Sequence, residues 1–220
     1  FKALIQGQIK SSQNALESAK AGLQHAKEQF VFNRLGKSLN LAQAMQQEVR
    51  NPFETYQLQG KGSDEIAAWG IPYQGEFLTG QRLADQIDVW QQKGIIDISH
   101  ANALREVQAH PEWFDLSNRT VVLFGAASEA GPLTWLSKWK ANIIAIDLPN
   151  EKIWEKIQSI VSAGNATLFA PQQISENGQL HLGADLLTQT PEIADWLSQF
   201  EQQLDLAGIA YLDGEKHVRV

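Results

Sequence analysis

The second half of the sequence alternates short apolar runs with amphipathic segments, and this alternation restricts the chain to few folds. TVVLF precedes GPLTWLSKWK, NIIAID precedes NEKIWEKIQSIVSAG, ATLFAP precedes PEIADWLSQFEQQL, and AGIAYLD comes last. An apolar run of about four to eight residues is typical of a buried strand, whereas the intervening segments have helical periodicity. Strands alternating with helices form βαβ units, so we expect a parallel sheet with right-handed crossovers.

The first half of the sequence has helical periodicity and is rich in Gln. Helix is predicted from about Ser12 to Arg50, as one helix or as two divided at Gly36, because apolar residues recur there every three or four positions. Two further helices are predicted, one beginning after a Thr79 cap and one after a Ser99 cap, with a loop rich in Gly and Pro before them. Packing is the simplest role for these helices. A substrate lid or a dimer arm, and with it a homo-oligomer, is the functional alternative.

The domain organisation follows from the change near residue 117 from helical periodicity to alternating strands and helices. We expect a mostly α-helical N-terminal domain over residues 1–117. An α/β domain, incomplete at its C-terminus, is expected over residues 118–220, since EKHVRV resembles the start of another helix. The fold class is therefore α/β, with a parallel sheet and flanking helices.

Composition excludes several functional classes. The chain has no Cys, which rules out disulfides, thiolate metal sites and cysteine nucleophiles and fits a cytoplasmic location. The five His residues include no H-x-x-x-H pair, so no metal site is expected. The net charge of −7 opposes binding to nucleic acid. No apolar run approaches the roughly 20 residues that a membrane span needs.

The segment GAASEAG, residues 125–131, lies where the first predicted strand of the α/β part meets its helix. Gly125 permits a tight turn, Gly131 permits close packing of the helix on the strand, and Pro132 suits the first helical position. A helix N-terminus offers unpaired N–H groups to an anion. Ligands of open α/β sheets lie beyond the carboxyl ends of the strands, so this turn is the expected phosphate loop.

The turn resembles the G-x-x-x-G-x-G turn of short-chain dehydrogenases, a family of NAD(P)-binding Rossmann-fold enzymes, with Glu129 in place of the middle glycine. Asp147 lies 22 residues after Gly125, where such folds place the acid that binds the adenosine ribose. GADLLTQTPEIADWL resembles the family segment after the third strand, in which an Asp, matched by Asp185, touches the adenine. The resemblance covers roughly Thr120 to Leu212.

This resemblance implies a Rossmann-like domain that binds a small-molecule dinucleotide and belongs to an oxidoreductase catalysing hydride transfer. An acid at position 147 repels a 2′-phosphate, so NAD is expected over NADP. The implied cofactor-binding residues are Gly125, Ala126, Ser128, Gly131, Asp147 and Asp185. Most of them have structural alternatives. Gly125 and Gly131 also suit a tight join between strand and helix, and Ser128 is a small polar residue of the kind common in any turn. Asp147 also suits a turn residue that caps the helix near Asn150, and Asp185 a surface or cap position.

Two features depart from the family pattern. Glu129 would bring a carboxylate near a pyrophosphate, and like charges a few ångströms apart cost on the order of 1 kcal/mol or more. The family's Tyr-x-x-x-Lys pair is absent, since Tyr56 and Tyr211 have a Lys five residues on and Tyr73 has none nearby. No catalytic residue is therefore assigned, and we expect the chain to be a fragment of a longer protein.

Two other functions stay open. GPLTWLSKWKANIIAIDL resembles S-adenosylmethionine-dependent methyltransferases, although their glycine motif, G-x-G-x-G, is shorter than the turn found here. A non-catalytic Rossmann module, serving in assembly or nucleotide sensing, is consistent with Glu129 and with the missing catalytic pair. A serine hydrolase is disfavoured because the turn does not have the G-x-S-x-G spacing of a nucleophile elbow.

Overall fold

The computed structural model describes residues 2–46, 53–174 and 178–209. The chain forms two compact units. The first, the N-terminal unit, comprises residues 1–53 and 185–200. The second, the sheet unit, comprises residues 54–184 and 201–220. The domain boundary expected near residue 117 stays a prediction.

The N-terminal segment begins as helices and continues as a β-hairpin. Its elements are α1 (Lys2–Gln8), α2 (Ser12–Gln29), β1 (Val31–Arg34), β2 (Lys37–Asn40) and α3 (Leu41–Met45). Between the strands, Leu35 and Gly36 have φ angles of 51° and 73°, and two-residue hairpin turns favour such positive values. The prediction of helix from about Ser12 to Arg50 is therefore wrong between α2 and α3, because a turn and antiparallel pairing replace the helix there. Residues 47–50 lie outside the described residues.

Residues 54–117 contain strands as well as the expected helices. The elements are β3 (Glu54–Gln59), β4 (Ile71–Tyr73), β5 (Glu76–Leu78), α4 (Gly80–Gln92) and α5 (Ile98–Ala109). Both predicted helices are confirmed, although Asp97 rather than Ser99 caps α5 by accepting the His100 N–H at 2.8 Å. The mostly α-helical character expected for residues 1–117 is not confirmed, because β1 to β5 all lie within this part.

The alternation predicted for the second half is confirmed. The elements are β6 (Thr120–Phe124), α6 (Leu133–Leu136), β7 (Asn142–Ile146), α7 (Glu151–Ser162), β8 (Thr167–Ile174), β9 (Leu180–Leu182), α8 (Thr190–Leu197) and β10 (Leu204–Gly208). The first of these helices is shorter than the expected two to three turns, because turns follow it up to Lys140, whose φ is 56°. The last strand begins earlier than AGIAYLD, and residues 210–220 lie outside the described residues.

Most strands of the sheet unit form one mixed sheet, in the order β10-β6-β7-β8-β3, while β4 and β5 pair with each other in a separate two-stranded sheet. The first four are mutually parallel, while β3 runs antiparallel to β8 and β9 pairs antiparallel with the far end of β8. Numbered along the chain, the parallel strands have the spatial order 3-2-1-4, which is the order of a Rossmann-like sheet. The α/β fold class is thus confirmed, and the sheet is compatible with a Rossmann-like fold.

The core of the sheet unit explains why β6 and β7 are nearly continuous apolar runs. Strands of a parallel sheet are buried on both faces, and residues 143–146 of β7 are all completely buried. The buried face of α7 consists of Trp154, Ile157 and Val161, which pack in one hydrophobic cluster with residues of β6, β7 and β8. A second cluster in this unit joins α4 and α5 around Leu83 and Ile87. Among the described residues, no helix is long and apolar enough to cross a membrane.

Candidate functional site

The candidate site lies at the edge of the sheet where β6 and β7 end. In the strand register Phe124 is opposite Ile146 in β7 and Gly208 in β10. The segments that follow these three residues therefore emerge side by side. The glycine turn of residues 125–131 follows β6, and Asp147 follows β7 directly.

The glycine turn is closed by its own hydrogen bonds. Gly125 has a φ of 88°, which L side chains rarely adopt, so glycine is required there. The Gly125 and Ala126 N–H groups donate to the Ile146 carbonyl at 2.8 and 3.4 Å. Further along, Ser128 donates its N–H to the Gly125 carbonyl, and Gly131 to the Ser128 carbonyl, each at 3.0 Å. The predicted site residues Gly125, Ala126, Ser128 and Gly131 thus lie in one turn, with their N–H groups already paired.

Asp147 is directly bonded to this turn. Its Oδ2 accepts the Ala127 N–H at 2.8 Å, and its Oδ1 accepts the Leu148 N–H at 2.8 Å. The side chain is half-buried. The structure therefore brings the acid after the second parallel strand to the turn after the first, although the two are far apart in sequence. The alternative role as a helix cap falls to Asn150, whose side chain accepts the Ile153 N–H at the start of α7.

Gly131 has a packing role on the other side of the turn. A Cβ at this position would lie 2.6 Å from Cδ1 of Ile209, the residue that follows β10. Ile209 is fixed by its own N–H, which donates to the Phe124 carbonyl at 3.0 Å. The second glycine of the motif therefore allows the turn to approach the end of β10 closely, and a glycine residue is explained there without any ligand.

Glu129 and Lys156 bring opposite charges to the turn. Glu129 is exposed, and within the described part of the chain its carboxylate has no hydrogen-bond or ion-pair partner. Lys156, on α7, donates from Nζ to the Ala127 carbonyl at 3.0 Å. The sequence does not predict this contact, because no spacing rule links a helix residue to a turn of the preceding βαβ unit.

The backbone after β7 is covered by the segment that follows β9. The Ala184 N–H donates to the Asp147 carbonyl at 2.9 Å, and the indole N–H of Trp154 donates to the Leu148 carbonyl at 3.0 Å. Gly183, with a φ of 108°, makes this approach possible, since a Cβ there would lie 2.6 Å from the Asp147 carbonyl oxygen. The segment next to the predicted ribose acid is therefore tightly packed.

Asp185 belongs to the N-terminal unit. Its carboxylate accepts the Leu187 N–H at 2.9 Å and the Thr188 hydroxyl at 2.9 Å, so it stabilises the turn ahead of α8. The cap alternative thus has direct contacts in its favour, and the adenine contact stays a prediction.

Other groups of interest lie away from the turn in sequence. The hydrogen bond that His110 donates to the Glu112 carboxylate raises the pKa of His110, and the Glu112 side chain is exposed. The Tyr56 hydroxyl accepts a hydrogen bond from Gln158, and Tyr73 packs edge-on against Trp90. Tyr211 lies outside the described residues. In residues 2–46, 53–174 and 178–209 no group of three or more His, Asp or Glu side chains could hold a metal ion.

Comparison of the chain with protein-family models, with curated proteins and with solved structures gives no match. Function must therefore be argued from the site itself, from the strand order, the closed glycine turn and the charges of Asp147, Glu129 and Lys156.

Proposed function

We propose that the sheet unit binds an adenine dinucleotide beyond the carboxyl ends of β6 and β7, with NAD preferred to NADP. One observation carries this proposal: the bond between Asp147 and Ala127 places a carboxylate against a glycine turn in a sheet with the 3-2-1-4 strand order. In a dinucleotide-binding domain the glycine turn approaches the pyrophosphate and the acid binds the adenosine ribose. The strand order places both at the same edge of the sheet. The proposed context is an oxidoreductase of the short-chain dehydrogenase type, which uses this cofactor for hydride transfer.

The hydrogen bonds already made by Asp147 leave capacity for a ribose. Each carboxylate oxygen has two lone pairs, and each accepts one backbone N–H here. The remaining lone pairs suit the two vicinal hydroxyls of an adenosine ribose. Because these backbone contacts hold the carboxylate in place, its charge also disfavours a 2′-phosphate, which is the reason for proposing NAD.

The turn has few free donors for a pyrophosphate. Within the described residues, only the N–H groups of Glu129 and Ala130 lack an acceptor between residues 125 and 131. The helix that follows, α6, has four residues, so its dipole contributes little. We therefore expect weak binding, with most of the recognition on the ribose side.

Titration of the protein with NADH, NAD and NADP, by fluorescence and calorimetry, tests the proposal. Asp147→Ala should abolish detectable NADH binding, while Asp195→Asn, which removes an exposed carboxylate from the N-terminal unit, should leave it unchanged. Folded wild-type protein that binds neither NADH nor NAD at millimolar concentration would sink the proposal. Binding of S-adenosylhomocysteine without NADH would favour a methyltransferase instead.

A second candidate function is a non-catalytic module for assembly or nucleotide sensing. The specific observation in its favour is the pairing of the turn's N–H groups with Ile146, Asp147 and the turn itself, which closes the turn without a ligand. A protein that binds NADH yet turns over no alcohol or carbonyl substrate, even when the complete protein is assayed, would support this candidate.

A further inference from the structure

We propose that Lys156 supplies the cation that binds the 5′-phosphate adjoining adenosine at this site. This inference rests on the proposed nucleotide binding and deepens it, because it names the ligand chemistry that the turn recognises beside the ribose: the 5′-phosphate of a phosphorylated adenosine. The ammonium group reaches the turn from α7, outside the glycine motif.

The position of Lys156 follows from two hydrogen bonds on one residue. Ala127 donates its N–H to the Asp147 carboxylate at 2.8 Å and accepts from the Lys156 ammonium at 3.0 Å. The cation and the ribose acid are thus held on either side of the same residue of the turn. A nucleotide whose ribose meets Asp147 brings its 5′-phosphate to the neighbouring part of the turn, where the ammonium lies.

The ammonium is available for an anion. Lys156 is exposed, and an ammonium has three N–H donors, of which the Ala127 carbonyl takes one. Among the described residues, no carboxylate lies within 4.0 Å of its Nζ, so no ion pair neutralises it. A compact ammonium on a flexible stem can turn toward a phosphate while α7 stays in place.

The charges of the turn also require a cation. Asp147 and Glu129 make the site anionic, the N–H groups of the turn are largely paired, and α6 is too short to add a useful dipole. The pyrophosphate of NAD, which carries two negative charges, would be repelled there without a compensating positive charge. Lys156 is the cation whose contact with the turn the structure records.

Binding measurements that separate phosphate from nucleoside recognition test this inference. Adenosine, AMP and NAD are titrated into wild-type protein, Lys156→Gln, Lys156→Arg and the matched control Lys152→Gln, which removes an exposed lysine one turn earlier on α7. Lys156→Gln should weaken AMP and NAD binding about tenfold, as expected for loss of one charge-assisted hydrogen bond, and leave adenosine binding unchanged. Lys156→Arg should retain most of the affinity, and Lys152→Gln all of it.

The role of Lys156 in phosphate binding is distinguished from a structural role by ionic strength. The difference between wild type and Lys156→Gln should shrink as salt rises, whereas a turn loosened by the substitution would weaken adenosine binding equally at all salt concentrations. If wild type binds AMP and Lys156→Gln binds it equally well, or loses adenosine to the same extent, the inference about Lys156 fails and nucleotide binding stands. If wild type binds none of the three ligands, both fail.

Discussion

The Asp147 carboxylate accepts the Ala127 amide at 2.8 Å, so the end of β7 is bonded directly to the turn that follows β6. Removing this acceptor leaves the half-buried turn without its partner. We expect Asp147→Ala to lower the free energy of unfolding by about 1–3 kcal/mol, the usual cost of an unsatisfied polar group. Urea unfolding measures this, with Asp147→Asn as the milder control that keeps an acceptor. Equal stability of Asp147→Ala and wild type would contradict the contact.

Glu129 is exposed beside a turn that we expect to meet a phosphate. Glu129→Gln removes the charge but keeps the shape, so NAD binding should strengthen about threefold at low salt, as a partly screened repulsion of this kind predicts. Calorimetry at low and high ionic strength measures the effect, which should fade at high salt. Glu129→Gly should act in the same direction. Unchanged affinity at low salt would mean that the carboxylate is directed away from the ligand.

The close approach of Gly183 to Asp147 can be tested by comparing alanine substitutions at Gly183 and at Gly178. Both have positive φ, but a Cβ on Gly183 would meet the Asp147 carbonyl at 2.6 Å, whereas a Cβ on Gly178 would meet no atom of the described residues within 4 Å. Gly178→Ala should cost about 1 kcal/mol, from backbone strain alone. Gly183→Ala should cost about 2 kcal/mol more, because backbone must also shift. Thermal unfolding compares them, and similar losses for the two variants would contradict this packing.

His110 should titrate above its ordinary pKa of 6.5, because the hydrogen bond with Glu112 favours the imidazolium. The same bond lowers the pKa of Glu112 below 4.5. The contribution of His110 to stability is therefore complete below pH 6.5 and is lost as pH rises through its raised pKa. That of Glu112 is complete above pH 4.5 and is lost as pH falls through its lowered pKa.

NMR titration of the His110 ring tests this coupling. Glu112→Gln should return the pKa of His110 toward 6.5, and Glu106→Gln should change it less, since Glu106 contributes less to the shift. A His110 pKa that is the same in wild type and Glu112→Gln would show that the pair is not formed in solution.

Arg34 and Glu192 form an ion pair in the N-terminal unit. Arg34 Nη1 donates to both carboxylate oxygens of Glu192, at 2.6 and 2.8 Å, and the Glu192 side chain is only 3% exposed. Arg34→Met should cost about 3 kcal/mol, because it leaves a buried carboxylate without its partner. The double variant Arg34→Met with Glu192→Gln should recover part of this loss. Chemical denaturation of Arg34→Met, Glu192→Gln and the double variant measures the coupling, and additive losses would argue against an interacting pair.

The central strands were predictable because their signal is local. TVVLF and NIIAI are compact apolar runs, and α7 carries its buried face at helical spacing. By contrast, ETYQLQ is polar, and its strand, β3, exists because it pairs with β8, Tyr56 lying opposite Ala170. The hairpin of β1 and β2 was missed for a related reason, because its segments lie in a sequence that also has helical periodicity.

The residue pattern along the chain was enough to predict the alternating strands and helices, the tight turn at Gly125 and an acid directly after the second parallel strand. The bond between Asp147 and Ala127, 20 residues apart, and the contact of Lys156 with the same residue, 29 positions away, follow from the folded structure alone. Local periodicity specifies which residues become strand or helix. Which N–H groups are paired, and which charge meets a turn, depends on strand order and register, because these bring together residues that are distant along the chain.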